Sequence, residues 1–278
     1  MSDQDIQIRV NERSMSIAPG TTLRELRERV KPGADVLVVN GFPSEPETAI
    51  HEGDKVVLIK RGERPSTQEL EFLMAARHSP GVHERMRDAR VGVAGLGGLG
   101  SAVVIALART GVGEIVAVDY DVVEPSNLNR QQYNVEHIGM LKTEAIARQV
   151  ALINPCVRLD ARRVVLDPVN IPQVFSGVEV LVECLDRAEA KAMLLKAAAE
   201  GLPETYIIGA SGVAGYGDSN SIRTIRLGDR VFMVGDMVSA AEPGRGLMAP
   251  RVGVAAHHQA DLAVSLLMGE ESPEAQIL

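Results

Sequence analysis

A glycine-rich segment beginning at residue 95 limits most strongly how this chain can fold. It stands between an apolar run at residues 91–94 and a helical apolar pattern at residues 101–108. Strand, glycine loop and helix in this order are typical of a βαβ unit, where glycines let the backbone approach a phosphate and the helix N-terminus offers unpaired N–H groups. The alternative is a glycine turn with a purely structural role. The glycines are Gly95, Gly97, Gly98 and Gly100.

Asp119 favours ligand binding over the structural alternative. It comes at the end of the next apolar run, roughly 20 residues after the glycine loop, where a carboxylate can accept hydrogen bonds from ribose hydroxyls. The loop, the helix and Asp119 together predict a nucleotide site, although at this point they do not separate NAD from ATP.

Apolar strands alternate with alanine-rich helices from residue 90 onward, which indicates βαβ units. With no Trp and only four Phe and four Tyr, the core is aliphatic, as expected for a buried, largely parallel sheet. We predict an α/β, Rossmann-like nucleotide-binding domain with a hairpin between residues 220 and 238. The predicted strands are 90–95, 114–119, 157–165, 179–184 and 205–210, and the predicted helices are 100–110, 142–152, 187–200 and 251–268.

The first 64 residues predict a separate β-grasp, or ubiquitin-like, domain. Alternating apolar residues at 6–10 and 15–17 indicate two strands, and runs at 36–39 and 56–59 indicate two more. Thr22 and Glu25 have the spacing of a capping box that begins a helix between the two strand pairs. We therefore place one domain at residues 1–64 and the nucleotide-binding domain at residues 65–278, which starts with a helix capped by Ser66.

Charge and composition exclude several classes of function. The chain has 29 basic and 37 acidic residues, a formal net charge of −8, whereas a non-specific nucleic-acid binder needs a broad basic face. No uninterrupted apolar run reaches the length of a membrane span, and the polar N-terminus does not resemble a signal peptide. Two cysteines cannot build a disulfide framework or a four-thiolate zinc site. We expect a soluble cytoplasmic protein with no nucleic-acid or membrane partner.

The residues after Asp119 favour ATP over NAD. Arg130 offers a planar fork to phosphate oxygens, Asn127 can bind sugar or phosphate, and Lys142 can neutralise a phosphate chain. Asp186 follows a predicted strand at the edge of the sheet where ligands bind, and its carboxylate can hold Mg²⁺. Taken singly, Lys142 could be a solvated helix residue and Asp186 a helix N-cap. We expect Arg130 and Lys142 to be exposed.

These residues resemble the ThiF/MoeB/HesA superfamily, the bacterial relatives of ubiquitin-activating enzymes. The resemblance covers about residues 66 to 270. Residues 209–212 and 244–251 are similar to a divergent ThiF-like branch associated with thiamine biosynthesis, and the N-terminal domain resembles ThiS. The motifs that carry the resemblance are the glycine loop, Asp119-x-Asp121, residues 126–131, Ile138-Gly139 with Lys142, and Asp186.

The resemblance implies a sulfur-carrier adenylyltransferase. In that family the C-terminal carboxylate of a small β-grasp sulfur carrier ending in Gly-Gly attacks the α-phosphorus of ATP. Asp119 would then bind the ribose, Arg130 and Lys142 the phosphates, and Asp186 Mg²⁺. Members of the family form dimers in which an arginine reaches the neighbouring site, and Arg77 is the candidate here. The expected partners are a separate carrier and a second copy of the chain, and the expected pathway is thiamine thiazole synthesis.

The chain departs from the family pattern in its cysteines and in its own β-grasp domain. It lacks the two Cys-x-x-Cys pairs of many members, and no cysteine lies between residues 185 and 278. We therefore interpret Cys184 and Cys156 as structural residues. We do not expect His257 and His258 to bind a metal ion. The β-grasp domain has no free Gly-Gly end, since residues 60–65 run on into the next domain. It would act in regulation or dimer assembly instead of as a substrate.

Two other hypotheses remain open at this stage. The first is an NAD-dependent oxidoreductase that uses the same loop, for which we find neither a catalytic acid or base nor a substrate domain. The second is a non-catalytic scaffold whose site is blocked by the fused domain. The carrier also stays open, because thiazole, molybdopterin and cysteine pathways are all compatible with the residues.

Overall fold

The computed structural model describes residues 5–76, 78–270 and 276–277. The chain divides into two compact units, Met1–His78 and Ser79–Leu278. Each is described by itself below. None of the helices in the part of the chain described is both long and apolar enough to cross a membrane.

The first unit is a five-stranded mixed sheet covered by a helix, as predicted for a β-grasp domain. The strand order is β2-β1-β5-β3-β4, with β1 parallel to β5 and the other neighbours antiparallel. Leu23 and Leu26 of the helix are fully buried against the sheet. Thr22 and Glu25 form the predicted reciprocal capping box. The elements are β1 (Ile6–Val10), β2 (Arg13–Ile17), α1 (Leu23–Val30), β3 (Val36–Val39), β4 (Phe42–Pro43), β5 (Lys55–Ile59) and α2 (Thr67–Ala75).

The second unit is an eight-stranded sheet with helices. The strands run in the order β13-β11-β12-β10-β9-β6-β7-β8, and those from β12 to β8 are parallel. The strands are β6 (Arg90–Ala94), β7 (Glu114–Val118), β8 (Arg158–Arg162), β9 (Val180–Glu183), β10 (Tyr206–Ala210), β11 (Arg223–Arg226), β12 (Val231–Gly235) and β13 (Gln276–Ile277). The helices are α3 (Val82–Asp88), α4 (Gly98–Thr110), α5 (Lys142–Ile153), α6 (Ile171–Val174), α7 (Ala188–Gly201) and α8 (Ala249–Leu267).

The topology places a ligand crevice at the end of β6. The chain goes from β6 outward to β7 and β8, then crosses back to β9 and continues through β10 to β12. This is the Rossmann-like order, in which successive strands are added first on one side of β6 and then on the other. Ligands bind at the carboxyl ends of the strands where the order reverses. The carboxyl ends of β6, β7 and β9 therefore meet at one edge.

The predicted elements agree with the structure apart from their ends and four short pieces. The hairpin is confirmed, since β11 and β12 pair antiparallel. Strand β8 ends at Arg162, three residues earlier than predicted, because Val164 and Leu166 pack on the apolar core outside the paired strand. The sequence patterns do not predict β4, α3, α6 or β13, each of which is too short to show a periodic pattern.

Candidate active site

The glycine loop joins β6 to α4 and needs glycine at two positions. Gly95 has a φ of +92°, and a Cβ there would lie 2.8 Å from the carbonyl oxygen of Cys184. A Cβ on Gly100 would lie 1.8 Å from the carbonyl oxygen of Gly95. The loop thus folds tightly against the end of β9, and α4 starts directly behind it with Gly97 as its N-cap and Gly98 as its first residue.

Asp119 ties the end of β7 to this loop. Its Oδ2 accepts a hydrogen bond of 2.7 Å from the backbone N–H of Leu96, and its Oδ1 accepts one of 2.8 Å from the N–H of Asp121. The residue is buried. Each carboxylate oxygen can accept a second hydrogen bond, so Asp119 keeps capacity for a hydroxyl group while its position is fixed by the backbone.

Lys142 lies over Asp119 and is buried, so the expectation that it is exposed is wrong. Its Nζ is 2.9 Å from Oδ2 of Asp121 and 3.9 Å from Oδ2 of Asp119. An antiparallel bridge between Val122 and Leu141 and a hydrogen bond from the Lys142 N–H to the Asp121 carbonyl turn the start of α5 inward. This long-range pairing has no signal in local sequence periodicity.

Arg130 is half-buried and has no carboxylate partner in the described parts of the chain. Its Nη1 donates to Oδ1 of Asn129 at 2.8 Å. Asn127 is buried, and its Oδ1 accepts from the N–H of Glu124 at 3.1 Å, which stabilises the short 3-10 turn before Arg130. Position 98 is close to this arginine, because a Cβ there would lie 3.4 Å from the Cγ of Arg130.

Three polar residues beside the loop were not predicted as site residues. Gln131 is buried, and its Oε1 has no hydrogen-bond partner among the described residues. Ser101 donates to the carbonyl of Gly97 at 2.6 Å and accepts from the N–H of Gln132 at 3.0 Å. The hydroxyl of Tyr133 donates to the carbonyl of Leu96 at 2.9 Å, and burial, with the charge of Asp119, raises the pKa of Tyr133. Gln131 belongs to the motif of residues 126–131, which was the available signal.

Asp186 is exposed at the carboxyl end of β9, and the N-cap of α7 is Arg187. The N-cap alternative for Asp186 is therefore wrong. Over the described ranges no group of three or more His, Cys, Asp or Glu side chains could hold a metal ion by itself. One free carboxylate is what Mg²⁺ usually takes from a protein when a bound phosphate supplies further oxygens.

Glu183 and Cys184 stand at the end of the same strand and are buried. Lys191 Nζ contacts both carboxylate oxygens of Glu183, at 2.9 and 3.1 Å, and the N–H groups of Leu185 and Ala210 donate to them as well. Burial raises the pKa of Glu183, although Lys191 and these amides oppose it. Burial raises the pKa of the Cys184 thiol still more clearly, with the Glu183 charge adding to it. Buried, protonated Cys184 fits the structural role predicted for it.

The remaining predicted residues lie away from this edge of the sheet or outside the described residues. Arg77 lies outside the described residues. Cys156 is half-buried and forms no disulfide within the described residues. His257 is exposed on α8, where its Nδ1 is 2.8 Å from the carbonyl of Gly253.

Two family models match the chain. The model described as the ThiF family matches residues 72–277, about three quarters of the chain. A second model, described as ThiS-like ubiquitin, matches residues 6–62. The two matches correspond to the Rossmann-like sheet and to the β-grasp sheet.

Curated relatives share about a third of their residues with this chain over the matched region. The adenylyltransferase and sulfurtransferase UBA4 of Yarrowia lipolytica is 32% identical over 190 residues, which are 66% of this chain and 47% of the relative. The ubiquitin-like modifier-activating enzyme 5 of Drosophila virilis is 33% identical over 159 residues, which are 53% of this chain and 39% of the relative. The chain thus spans less than half the length of these relatives.

A solved structure with the same fold carries a nucleotide. The E. coli tRNA N6-threonylcarbamoyladenosine dehydratase TcdA, in complex with ATP, superposes with a TM-score of 0.64 at 22% identity. The superposition covers 70% of this chain and 92% of TcdA. At this identity the comparison concerns the fold.

Proposed function

The chain belongs to the ThiF family, and from this premise we propose that it is an ATP-dependent adenylyltransferase that activates the C-terminal carboxylate of a small ubiquitin-like carrier protein. Its relative UBA4 is named as an adenylyltransferase, and TcdA of the same fold binds ATP. The finer proposal is that the carrier is a ThiS-like sulfur carrier ending in Gly-Gly, in thiamine thiazole synthesis.

The observation that carries this proposal is the set of charges at the edge of the sheet where the strand order reverses beside β6. Asp119 is fixed beside the glycine loop and Lys142 is buried beside it. Arg130 lies near the first turn of α4, and no carboxylate among the described residues pairs with it. Such a site is suited to an anion with a sugar attached, because the helix N-terminus and two cations face the same edge. A hydride-transfer enzyme has no evident use for these two cations.

In the proposed reaction a carboxylate oxygen of the carrier forms a bond to the α-phosphorus of ATP. The bond between the α-phosphorus and the bridging oxygen to the β-phosphate breaks, and its electron pair leaves with pyrophosphate. The product is a carrier acyl-adenylate. No proton transfer and no enzyme nucleophile are required, so Arg130 and Lys142 would act by neutralising the charge on the phosphate oxygens. Asp119 would position the ribose.

Mg²⁺ fits the donor set of this site as a partner of the nucleotide. When bound it would shield the phosphate charges, and Asp186 is the candidate ligand because its carboxylate is exposed at the carboxyl end of β9. Asp121 is occupied by Lys142 and is less suited to that task. The protein alone offers too few ligands to hold the ion tightly, so its binding would depend on ATP.

The fused β-grasp domain is proposed to be a regulator or an assembly element and not the substrate. Its last strand, β5, runs on through residues 60–65 into α2, so it has no free carboxylate to adenylate. Mass spectrometry after incubation with ATP and a sulfur donor tests this proposal. An AMP or sulfur adduct within residues 1–65 would refute it.

Exchange of labelled pyrophosphate into ATP tests the proposed reaction. We expect exchange that requires Mg²⁺ and a separately expressed β-grasp carrier ending in Gly-Gly. The control is the same carrier without its two final glycines. No exchange with any carrier of this type would contradict adenylation and leave the non-catalytic scaffold.

Calorimetric titration with ATP and with NAD tests the choice of nucleotide. We expect a binding signal for ATP with Mg²⁺ and none for NAD. A clear NAD signal without an ATP signal would support the oxidoreductase hypothesis instead.

A further inference from the structure

A second group of buried charges lies at the same edge of the sheet, on the loops that follow β10 and β12. We call residues 211–221 the β10 loop and residues 236–248 the β12 loop. Arg251, at the start of α8, is buried and donates from Nη1 to the carbonyls of Gly217 and Asp218 at 2.8 and 3.0 Å. Its Nη2 donates to Asp236 at 2.6 Å and to Ser221 at 3.1 Å. One side chain thus joins both loops.

The two loops also meet through their backbones. Gly215 and Leu247 form a parallel bridge, and the N–H of Gly215 donates to the carbonyl of Gly246 at 2.8 Å. Gly212 has a φ of +75°, and a Cβ there would lie 2.0 Å from Oδ1 of Asp236, so only glycine permits this approach. Within the β12 loop, Arg245 donates a hydrogen bond of 2.8 Å to the hydroxyl of Ser239.

Asp236 keeps its charge over the whole physiological range. Burial opposes ionisation, but the hydroxyl and N–H of Ser239, the N–H of Val238 and the charge of Arg251 outweigh it and lower the pKa of Asp236 to about 2. Asp236 is therefore ionised at neutral pH, where it pairs with Arg251, and substitution is the way to remove this contact.

The joined loops lie beside the nucleotide loop. Val252 follows Arg251 in α8, and a Cβ on Gly98 would lie 3.0 Å from its Cγ1. Asp119 and Lys142 come from the β7 side of the crevice, whereas these loops come from the strands on the opposite side of β6. The loops therefore lie on the side of β6 away from Asp119 and Lys142.

The surface of the loops fits an extended, small-residue peptide. Gly217, Gly244 and Gly246 are exposed and leave their backbone accessible, and Tyr216 and Val238 are exposed apolar side chains. An extended tail can pair with such backbone and place alternate side chains on the apolar residues.

We propose that Arg251 is a positioning residue that joins the β10 and β12 loops and thereby shapes the side of the site that receives the C-terminal tail of the carrier. This inference rests on the proposed function. Arg251 touches neither ATP nor the reacting atoms in this scheme, and it acts through the loops that it holds.

The test compares Arg251→Lys with Arg230→Lys in the full chain. Lysine keeps the charge but cannot make the planar set of contacts of arginine. Arg230 is a matched control, because it binds the carbonyl and the carboxylate of Glu204 at the opposite edge of the same strands, at 2.7 and 2.8 Å. The measurements are pyrophosphate exchange with Mg²⁺-ATP and a Gly-Gly carrier, and hydrogen exchange of the two loops.

For Arg251→Lys we expect the KM for the carrier to rise about tenfold while the KM for ATP changes less than about twofold, with faster hydrogen exchange in both loops. Arg230→Lys should leave all three unchanged. If Arg251→Lys does not fold, Ser221→Ala removes one of the contacts and should raise the carrier KM in the same direction.

Two results would overturn the inference. An unchanged carrier KM excludes the positioning role, and an equal rise of both KM values indicates a general loss of structure. If the wild-type chain gives no exchange with any carrier, the proposed function fails. Faster hydrogen exchange in Arg251→Lys would then leave the contact between the loops real but remove its assignment to a carrier tail.

Discussion

Two lysine–carboxylate clusters at one edge of the sheet differ in how fully their hydrogen-bonding groups are used. We call Lys142 with Asp119 and Asp121 the β7 cluster, and Glu183 with Lys191 the β9 cluster. Both Glu183 oxygens contact Lys191, and two backbone N–H groups also donate to them. In the β7 cluster Lys142 has one close carboxylate, Asp121, whose side chain is 49% exposed.

This difference indicates that the β9 cluster is a structural ion pair, whereas the β7 cluster can bind a ligand. A buried carboxylate whose acceptor sites are filled has nothing left for a ligand, and its removal leaves donors without partners. In the β7 cluster Lys142 has one close carboxylate and Asp119 keeps acceptor capacity, and Arg130 has no carboxylate partner within the described part of the chain. The predictions below either separate the two clusters further or show that they are alike.

The largest expected effect is on catalysis in the β7 cluster. Lys142→Ala and Arg130→Ala should each lower the rate of adenylation by on the order of 10²–10³-fold, the usual loss for one charge that stabilises a transition state. Pyrophosphate exchange measures this loss. The matched control is Lys196→Ala on α7, where an exposed pair with Glu200 is removed and the rate should not change.

Lys142→Ala should also cost some stability, because the residue is buried between two carboxylates. Urea unfolding therefore has to accompany the rate, so that loss of folded protein is not taken for loss of catalysis. Wild-type turnover in either variant would remove that residue from the mechanism.

The next effect is on stability in the β9 cluster. Glu183→Ala should lower the free energy of unfolding by roughly 3 kcal/mol, because Lys191 and the N–H groups of Leu185 and Ala210 lose their buried acceptor. Asp121→Asn in the β7 cluster should cost less than about 1 kcal/mol, since the carboxylate that it neutralises is half exposed. Similar costs for the two variants would contradict the distinction between the clusters.

The sequence predicted the frame of this site well and its interior poorly. The glycine loop, Asp119 and the residues 126–131 are local patterns, so their place between β6 and α4, at the end of β7 and in a turn could be predicted. The burial of Lys142 depends on the bridge between Val122 and Leu141, and the partners of Glu183 come from β10 and α7. Such contacts join distant segments and leave no periodic signal.

The contact between the β10 and β12 loops shows the same limit. In the sequence, residues 209–212 and 244–251 show only a resemblance to a branch of the family. That Arg251 joins Gly217, Asp218, Ser221 and Asp236 follows from the parallel order of β10 and β12 and from where α8 begins. A lone arginine in a helical pattern gives no indication of four partners.

A smaller effect is expected at Asp186, three residues beyond the saturated Glu183. Asp186→Asn should raise the Mg²⁺ concentration needed for half-maximal exchange several-fold while leaving the free energy of unfolding unchanged, because the side chain is exposed. Titration of Mg²⁺ at saturating ATP measures this shift. An unchanged requirement would mean that Asp186 does not hold the ion.

The smallest effect is expected at Cys184, next to Glu183 in the β9 cluster. Burial, together with the neighbouring carboxylate, raises the pKa of this thiol well above its ordinary value, so it stays protonated between pH 7 and about 9. Iodoacetamide should therefore modify Cys184 far more slowly than the half-buried Cys156, with no acceleration as the pH rises through that range.

Cys184→Ala and Cys156→Ala should both keep wild-type adenylation, since the carrier carboxylate is the nucleophile. A covalent adduct between carrier and enzyme that disappears in either variant would show that a thiol takes part, and a rapid, pH-dependent alkylation of Cys184 would show that the β9 cluster is open to solvent and not the closed structural pair described above.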